Sequence, residues 1–215
     1  MSERRDEGLL ATIVTTEHFT LQTARAAAVN QANGRTAAYL GTVSSSLIAL
    51  AFVGQITGVD SFFRVFGLVL LLPLALVGIA TFERTLQLAI EDVGYAMRIN
   101  RLRRFYFRPG VDLGDFLMAP PEGDDVEAVM RQALVHSHSR WQPFLTNAWV
   151  AAVVNSFLTG VLVGVVTSVL GGGLWLSVAA AACGFVLAGA IHYRHGMRAW
   201  SHLESSVTAR AGTVR

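Results

Sequence analysis

One uncharged stretch constrains the fold of this chain more than any other feature. Residues 36–56 (TAAYLGTVSSSLIALAFVGQI) contain no charged side chain, and a helix needs about 20 mainly apolar residues to cross the hydrocarbon core of a bilayer. The preceding residues 17–35 (EHFTLQTARAAAVNQANGR) are rich in alanine and contain no proline. We therefore predict one long helix that is polar in its first half and membrane-embedded in its second.

Three further apolar runs follow, at about residues 62–82, 144–170 and 174–193. The chain is 53% hydrophobic and only 15% charged, whereas about a quarter of the residues in a soluble domain are charged. Because the apolar residues are gathered into runs of membrane-spanning length, the sequence predicts an all-α integral membrane protein with four transmembrane helices. Apolar residues after residue 82 recur at spacings of three and four, so we expect several spans to continue as long cytoplasmic helices that form a bundle.

This pattern divides the chain into successive segments. Residues 1–14 are predicted to be an N-terminal tail, and residues 15–105 a first helical pair with its cytoplasmic extensions. The prolines and glycines of residues 106–123 predict an irregular cytoplasmic loop. Residues 124–208 are predicted to form a second helical pair with its own extensions, and residues 209–215 a C-terminal tail.

The distribution of arginine predicts the orientation of the spans. All 17 basic residues are arginines, and only Arg64 lies in a short connection between paired spans. The others precede the first span, lie between the second and third spans, or follow the fourth, and basic residues of membrane proteins concentrate on the cytoplasmic side. We therefore predict a multi-pass protein of the inner (plasma) membrane with both termini in the cytoplasm.

Polar residues within the spans are the first candidates for a functional site. Asn155, Thr159 and Thr167 share one face of the third span by the helical period, and Asn147 lies two turns before Asn155. Such a stripe would line a water-filled path, together with Ser45 of the first span. The alternative is that these groups hydrogen-bond between helices and hold the bundle together. The lack of a charged residue near the centre of any span favours this alternative, because ion-coupled pumps and proton relays usually need one there.

Other residues flank or shape the spans. Glu83 lies at the predicted cytoplasmic mouth of the second span, where copies around an axis would form an acidic ring. The alternative for Glu83 is an interfacial carboxylate paired with Arg84 or with a neighbouring helix. Small residues let transmembrane helices approach closely, and those predicted at helix contacts are Gly160, Gly164, Gly184 and Ala188. The arginines predicted to bind anionic lipid or a partner are Arg98, Arg101, Arg103 and Arg104.

The sequence predicts neither an enzyme nor a metal or cofactor site. It contains no phosphate loop, nucleophile elbow, dinucleotide fingerprint or His-Glu-x-x-His motif. His192, His195 and His202 share a helical face, and we interpret them as interfacial histidines rather than zinc ligands. The single cysteine, Cys183, excludes an intrachain disulfide and a cysteine-based metal cluster. We expect membrane lipids, further copies of the chain and a cytoplasmic protein or small-molecule signal as partners, and no nucleic acid.

Residues 17–52 resemble a family of small four-span membrane proteins from high-GC Gram-positive bacteria. In that family a segment like E-H-F-x-L-Q-x-A-R, followed by N-G-R, leads into a span like Y-L-G-x-V-S-S-x-L, and this chain has EHFTLQTAR, NGR and YLGTVSSSL. The resemblance implies a four-span layout and adds no catalytic residue. The layout, though not the motifs, is also similar to SLATT and cyclic-nucleotide-responsive membrane effectors of bacterial antiphage systems. That likeness implies a pore-forming or membrane-disrupting effector gated by a cytoplasmic signal.

Two functions follow from these features. The leading hypothesis is a homo-oligomeric, channel-like protein or membrane effector that responds to a cytoplasmic signal. The alternative is a non-conducting structural or regulatory module whose cytoplasmic helices dock a partner protein or anionic lipid. A polar stripe that faces a symmetry axis would favour the first function, and the same stripe buried between helices of one subunit would favour the second.

Overall fold

The computed structural model of the protein describes residues 2–103 and 146–212, and these residues form four long α-helices. In chain order the helices are α1 (Ser2–Thr57), α2 (Ser61–Arg103), α3 (Asn147–Val169) and α4 (Leu174–Gly212). Each is long and apolar enough to cross a membrane. The prediction of an all-α chain with four helices of membrane-spanning character is therefore confirmed, and helix length and hydropathy make the chain a multi-pass membrane protein. The predicted irregular loop and the first part of the second helical pair lie outside the described residues.

Helices α1 and α4 are longer than the sequence predicts. Helix α1 begins at Ser2, so the segment predicted to be an N-terminal tail is helical. This segment contains no proline, and its Thr12 hydroxyl donates to Gly8 O, one turn earlier, at 2.9 Å. Helix α4 likewise extends to Gly212, beyond the predicted end of the second helical pair at residue 208. In both places nothing in the local sequence interrupts a helix once it has formed.

Glycines end the first and third helices and shape the two short connections. Gly58 has a φ of 69°, and its N–H donates to Gly54 O at 2.9 Å, which closes the last turn of α1. Asp60 then caps α2, because its Oδ1 accepts from the Phe63 N–H at 2.8 Å. After α3, Gly171 has a φ of 88° and Gly172 N–H donates to Thr167 O at 2.9 Å, which is the Schellman arrangement.

The described residues divide into two compact units. We name residues 32–87 and 146–199 the membrane unit, and residues 2–31, 88–103 and 200–212 the extension unit. In the membrane unit, α2 and α3 lie innermost, because 39% of the most apolar stretch of each is buried, against 11% for α1 and 6% for α4. Leu71 and Leu158 of these inner helices are both fully buried.

Large apolar side chains cover the outside of the membrane unit. Val69, Leu76 and Leu187 are each more than 60% exposed, and soluble proteins rarely show contiguous apolar surfaces of this kind. A helix bundle in the hydrocarbon core of a bilayer requires apolar side chains on its outside, and the exposed side chains of this unit meet that requirement. Several polar side chains of the unit, among them Tyr39, Asn155 and Ser156, lie instead on its inside.

The extension unit contains an apolar core of its own and a long-range ion pair. Val93 and Ala96 of α2 form the core with the partly buried Met97, Trp200 and Leu203. Beside it, Arg25 Nε donates to Asp92 Oδ1 at 2.8 Å and Arg25 Nη2 to Asp92 Oδ2 at 3.3 Å. This two-bond arrangement joins α1 to α2 with defined geometry.

A second electrostatic feature of the extension unit is His18 of α1. Burial lowers the pKa of His18, and the positive charge of Arg103 lowers it further. The folded chain therefore holds a proton on this ring less readily than an unfolded chain would.

Candidate functional site

Polar side chains from three helices form a buried group inside the membrane unit. We name Tyr39 of α1, Asn155 and Ser156 of α3 and His192 of α4 the polar cluster. Their exposed fractions are 2%, 0%, 1% and 8%, respectively. Buried polar groups at this depth are costly unless they are hydrogen-bonded, and the contacts within the cluster show how that cost is offset.

Asn155 is the centre of the polar cluster, because both ends of its amide are used. The Tyr39 hydroxyl donates to Asn155 Oδ1 at 3.5 Å, and Asn155 Nδ2 lies 3.4 Å from His192 Nε2. Both contacts are at the long end of the hydrogen-bonding range. They nevertheless join α1, α3 and α4 through one side chain.

The hydrogen bonds of His192 identify which ring nitrogen holds the proton. His192 Nδ1 lies 2.7 Å from Ala188 O, and a carbonyl oxygen only accepts, so Nδ1 carries a hydrogen. In a neutral ring Nε2 then accepts, and the Asn155 amide nitrogen facing it is a donor. Ser156 Oγ is 3.4 Å from Nδ1 while its hydroxyl donates to Ala152 O at 2.7 Å. The arrangement is therefore that of a neutral imidazole.

Helix α2 contacts the polar cluster through a glycine, Gly78, and an aromatic ring, that of Phe82. A Cβ at Gly78 would lie 2.5 Å from Tyr39 Oη and closer still to Asn155 Oδ1, so only glycine fits there. One turn further along, the Phe82 ring meets the His192 ring edge to face, with centroids 4.7 Å apart and an interplanar angle of 83°. Phe82 itself is only 3% exposed. Helix α2 therefore also packs against the cluster, so that all four helices contact it.

A histidine and a glutamate form a close polar contact one turn along α4 from His192. His195 Nε2 is 2.8 Å from Glu83 Oε2, and both side chains are about half exposed, at 52% and 44%. Glu83 Oε1 also accepts from Gln87 Nε2 at 3.1 Å. This geometry matches the alternative interpretation of Glu83 as a carboxylate paired with a neighbouring helix. The Phe82 ring contacts both histidines, with its centroid 6.2 Å from that of His195.

The structure does not bring the predicted polar stripe together as a continuous lining. Asn147 donates to Asn33 Oδ1 at 2.6 Å, away from the polar cluster. The hydroxyls of Thr159 and Thr167 donate to carbonyls one turn back in α3, Asn155 O and Val163 O, each at 2.8 Å. Ser45 is exposed on α1. Of the predicted stripe, Asn155 alone is in the buried cluster.

The small residues predicted at helix contacts lie where α3 and α4 pack together. A Cβ at Gly160 would lie 2.7 Å from Ala181 O, and one at Gly164 would lie 3.0 Å from Ala181 Cβ. A Cβ at Gly184 would lie 3.3 Å from Gly160 Cα, so the two backbones are in near contact. Ala188 is 8% exposed and supplies the carbonyl that accepts from His192.

The predicted basic group lies at the C-terminal end of α2. Arg98 and Arg101 are exposed, and Arg103 is partly buried. Cations near the C-terminus of a helix also interact favourably with its dipole, which accounts for part of their placement without any ligand. Arg104 lies outside the described residues.

Sequence reasoning missed three members of this site. The sequence predicts no role for Tyr39 or Gly78, and it predicts an interfacial residue at His192 rather than a partner of Asn155. The sequence signals are weak, because Tyr39 lies near the start of the first span and His192 near the end of the fourth, where polar residues are common. No group of three or more His, Cys, Asp or Glu side chains with the geometry to hold a metal ion occurs within residues 2–103 and 146–212.

Comparisons with protein-family models, with curated proteins and with solved structures found no match to this chain. The description as a four-helix membrane protein therefore rests on the length, composition and packing of the helices themselves. The resemblance of residues 17–52 to a four-span family stays a prediction.

Proposed function

We propose that this protein is a non-conducting, non-enzymatic membrane module with a structural or regulatory role. The observation that supports the proposal best is the complete burial of Asn155, whose amide is used by Tyr39 and His192 of the same chain. A residue that lines a water-filled path must expose its polar atoms to that path. Asn155 instead links helices, which is the role that polar residues commonly have between transmembrane helices.

The remaining polar groups of α3 support the same proposal. The Ser156, Thr159 and Thr167 hydroxyls each donate to a carbonyl four residues earlier in their own helix. A hydroxyl used in this way is less available to replace the hydration shell of an ion. Helix α3 also contains no charged residue, so nothing on it would attract or select an ion.

The proposed module docks through the arginines at the C-terminal end of α2. Arg98 and Arg101 are exposed and lie one turn apart. With the orientation predicted from the arginine distribution, these residues lie on the cytoplasmic side. Helix α2 continues without interruption from the predicted end of its span at residue 82 to Arg98, which is about 24 Å of helix, and the attraction of lipid charge falls off within about 10 Å. We therefore propose an acidic surface of a cytoplasmic protein as the first docking partner and anionic lipid as the alternative.

Ion flux through liposomes that contain the purified chain tests the non-conducting role. We expect wild type, Asn155→Leu and Glu83→Gln to pass no more potassium or chloride than empty liposomes. Asn147→Leu is the matched control, since it removes an asparagine of the same helix that lies outside the polar cluster. Conduction by wild type that falls in Asn155→Leu, or that loses cation preference in Glu83→Gln, would contradict the proposal.

Retention of anionic lipid tests the docking role separately. Native mass spectrometry of the detergent-solubilised chain would count bound phosphatidylglycerol. We expect the Arg98→Gln/Arg101→Gln variant to bind it as well as wild type, because both arginines lie farther from the span than lipid charge acts. Arg64→Gln, in the first turn of α2, is the comparison variant. Weaker binding by the Arg98→Gln/Arg101→Gln variant than by Arg64→Gln would contradict the protein partner and favour lipid docking.

A channel formed between copies of the chain is the second candidate, and the exposure of Ser45 favours it. Ser44 and Ser45 are both exposed on the membrane-spanning part of α1, so several copies could turn these hydroxyls toward a common axis. This is the homo-oligomeric effector that the layout resemblance implies. Flux that is abolished by Ser45→Leu but unaffected by Asn155→Leu would favour this candidate over the non-conducting module.

A further inference from the structure

We propose that His192 binds a proton reversibly and that its protonation state determines the orientation of the Asn155 amide. This site is distinct from the docking surface and from any conducting path, and it holds whichever of those functions is correct. The proposal rests on the geometry of the polar cluster, in which the hydrogen bonds of one protonation state conflict with those of the other.

The neutral state of His192 satisfies every polar contact described around the ring. Nδ1–H donates to Ala188 O at 2.7 Å, and Nε2 accepts from Asn155 Nδ2 at 3.4 Å. Asn155 Oδ1 in turn accepts from the Tyr39 hydroxyl at 3.5 Å. Donors and acceptors alternate along the whole path from α4 through α3 to α1.

Protonation of His192 reverses this alternation. A proton taken from water binds Nε2, with no other bond made or broken, and Nε2–H then faces the amide NH2 group of Asn155. Two donors cannot share a hydrogen bond. A half-turn of the amide removes the conflict, because Oδ1 then accepts from Nε2–H in a charge-assisted bond. The amide nitrogen now faces Tyr39 Oη and donates to it.

The surroundings of His192 allow the amide to turn in place. Asn155 Oδ1 and Tyr39 Oη lie in the space that a Cβ at Gly78 would occupy, so the glycine provides the room in which the amide sits. An amide turn exchanges oxygen and nitrogen without a change of side-chain volume, and therefore requires no repacking of the fully buried Asn155. The event is local, but it changes the link between α1 and α3.

The titratable and charged groups that face His192 come from three sides. Helix α1 contributes the Tyr39 phenol, and α2 contributes Glu83, which follows Phe82 and is paired with His195. Helix α3 contributes the uncharged Asn155 and Ser156, and α4 itself contributes His195. The half-exposed Glu83–His195 pair lies one turn from His192 and is the nearest described place at which a proton from water would enter.

Nitrogen-15 NMR of the full chain in lipid nanodiscs tests the proposal. With histidine and asparagine side chains labelled and assigned through the backbone, we expect His192 to carry its proton on Nδ1 alone at high pH. On acidification Nε2 should gain a proton, and the Asn155 amide signals should shift with the same pH dependence. The Asn147 amide, which bonds Asn33 outside the cluster, should not follow.

Two variants locate the source of the response. His192→Gln should abolish the pH response of the Asn155 amide, whereas His195→Gln should preserve it. A neutral His192 with its proton on Nε2, or an Asn155 amide that does not change while His192 titrates, would overturn the proposal. These two results come from wild-type protein, so they decide the matter even if His192→Gln does not fold. Loss of the response in His195→Gln alone would also overturn it.

Discussion

Replacing Gly78 by alanine should destabilise the membrane unit more than its small size suggests. The new Cβ would lie 2.5 Å from Tyr39 Oη and closer still to Asn155 Oδ1, and overpacking of this kind costs about 1–3 kcal/mol. Displacing the amide also leaves buried donors without partners, which costs about 1–3 kcal/mol more. Alanine recovers about 1 kcal/mol of helix propensity. The expected net loss is about 1–5 kcal/mol in the free energy of unfolding.

Unfolding of the purified chain in mixed micelles of increasing SDS content, followed by tryptophan fluorescence, measures this loss. The matched control is Gly41→Ala, because a Cβ at Gly41 meets no atom of the described residues within 4 Å. We expect that control to be neutral or slightly stabilising. Tyr39→Phe removes one of the clashing atoms, the Tyr39 hydroxyl oxygen, so Gly78→Ala should cost less in that background. Equal stabilities for Gly78→Ala and Gly41→Ala would refute the packing argument.

Further substitutions test other contacts. Gly160→Ala places a Cβ 2.7 Å from Ala181 O, so the backbones of α3 and α4 must separate, and we expect a loss of about 1–3 kcal/mol in the same SDS assay. The side chains of Arg25 and Asp92 are 38% and 24% exposed, so reversing either charge alone should lower the free energy of unfolding by roughly 0.5–1 kcal/mol. Exchanging the two residues should restore most of that loss. Burial lowers the pKa of His18, so the unfolded chain binds more protons and stability should fall as the pH drops from about 6.5 toward that lowered pKa. Unfolding measured against pH should show a flatter profile for His18→Gln.

Each of these expectations has a result that contradicts it. A Gly160→Ala variant as stable as wild type would mean that α3 and α4 are not in close backbone contact. A charge-exchanged pair no more stable than the single reversals would mean that Arg25 and Asp92 do not interact in solution. An unchanged pH profile in His18→Gln would mean that the proton on this ring does not distinguish the folded from the unfolded chain.

The helices were predictable from the sequence because their signals are local. A span of residues such as 36–56 is recognised by its length and lack of charge, both of which are properties of a single segment. The start of α1 was not predictable in the same way. Val14 and Leu21 are buried in the extension unit, at 9% and 6% exposed, and this burial by other segments adds tertiary packing to the helical tendency of the early residues.

The site was only partly predictable, because its contacts join distant segments. Asn155 stands out as an amide in an apolar run, but its partners Tyr39 and His192 are 116 and 37 residues away along the chain. The helical period places residues on a face of one helix and does not tell which helix that face meets. The importance of Gly78 is likewise invisible locally, since it depends on side chains from α1 and α3.

The insertion of α3 into the bilayer during synthesis depends on two other helices, because the partners of Asn155 lie on α1, which is made earlier, and on α4, which is made later. The chain emerges from the ribosome with its N-terminus first, so Tyr39 is in place before α3 appears, whereas His192 follows later. An amide without partners in hydrocarbon is costly. The tight turn after Val169 returns the chain directly into α4, so we expect α3 and α4 to insert together as a hairpin against α1. Translation that stops before His192 should leave α3 stalled at the translocon, without the helix that completes its place in the bundle.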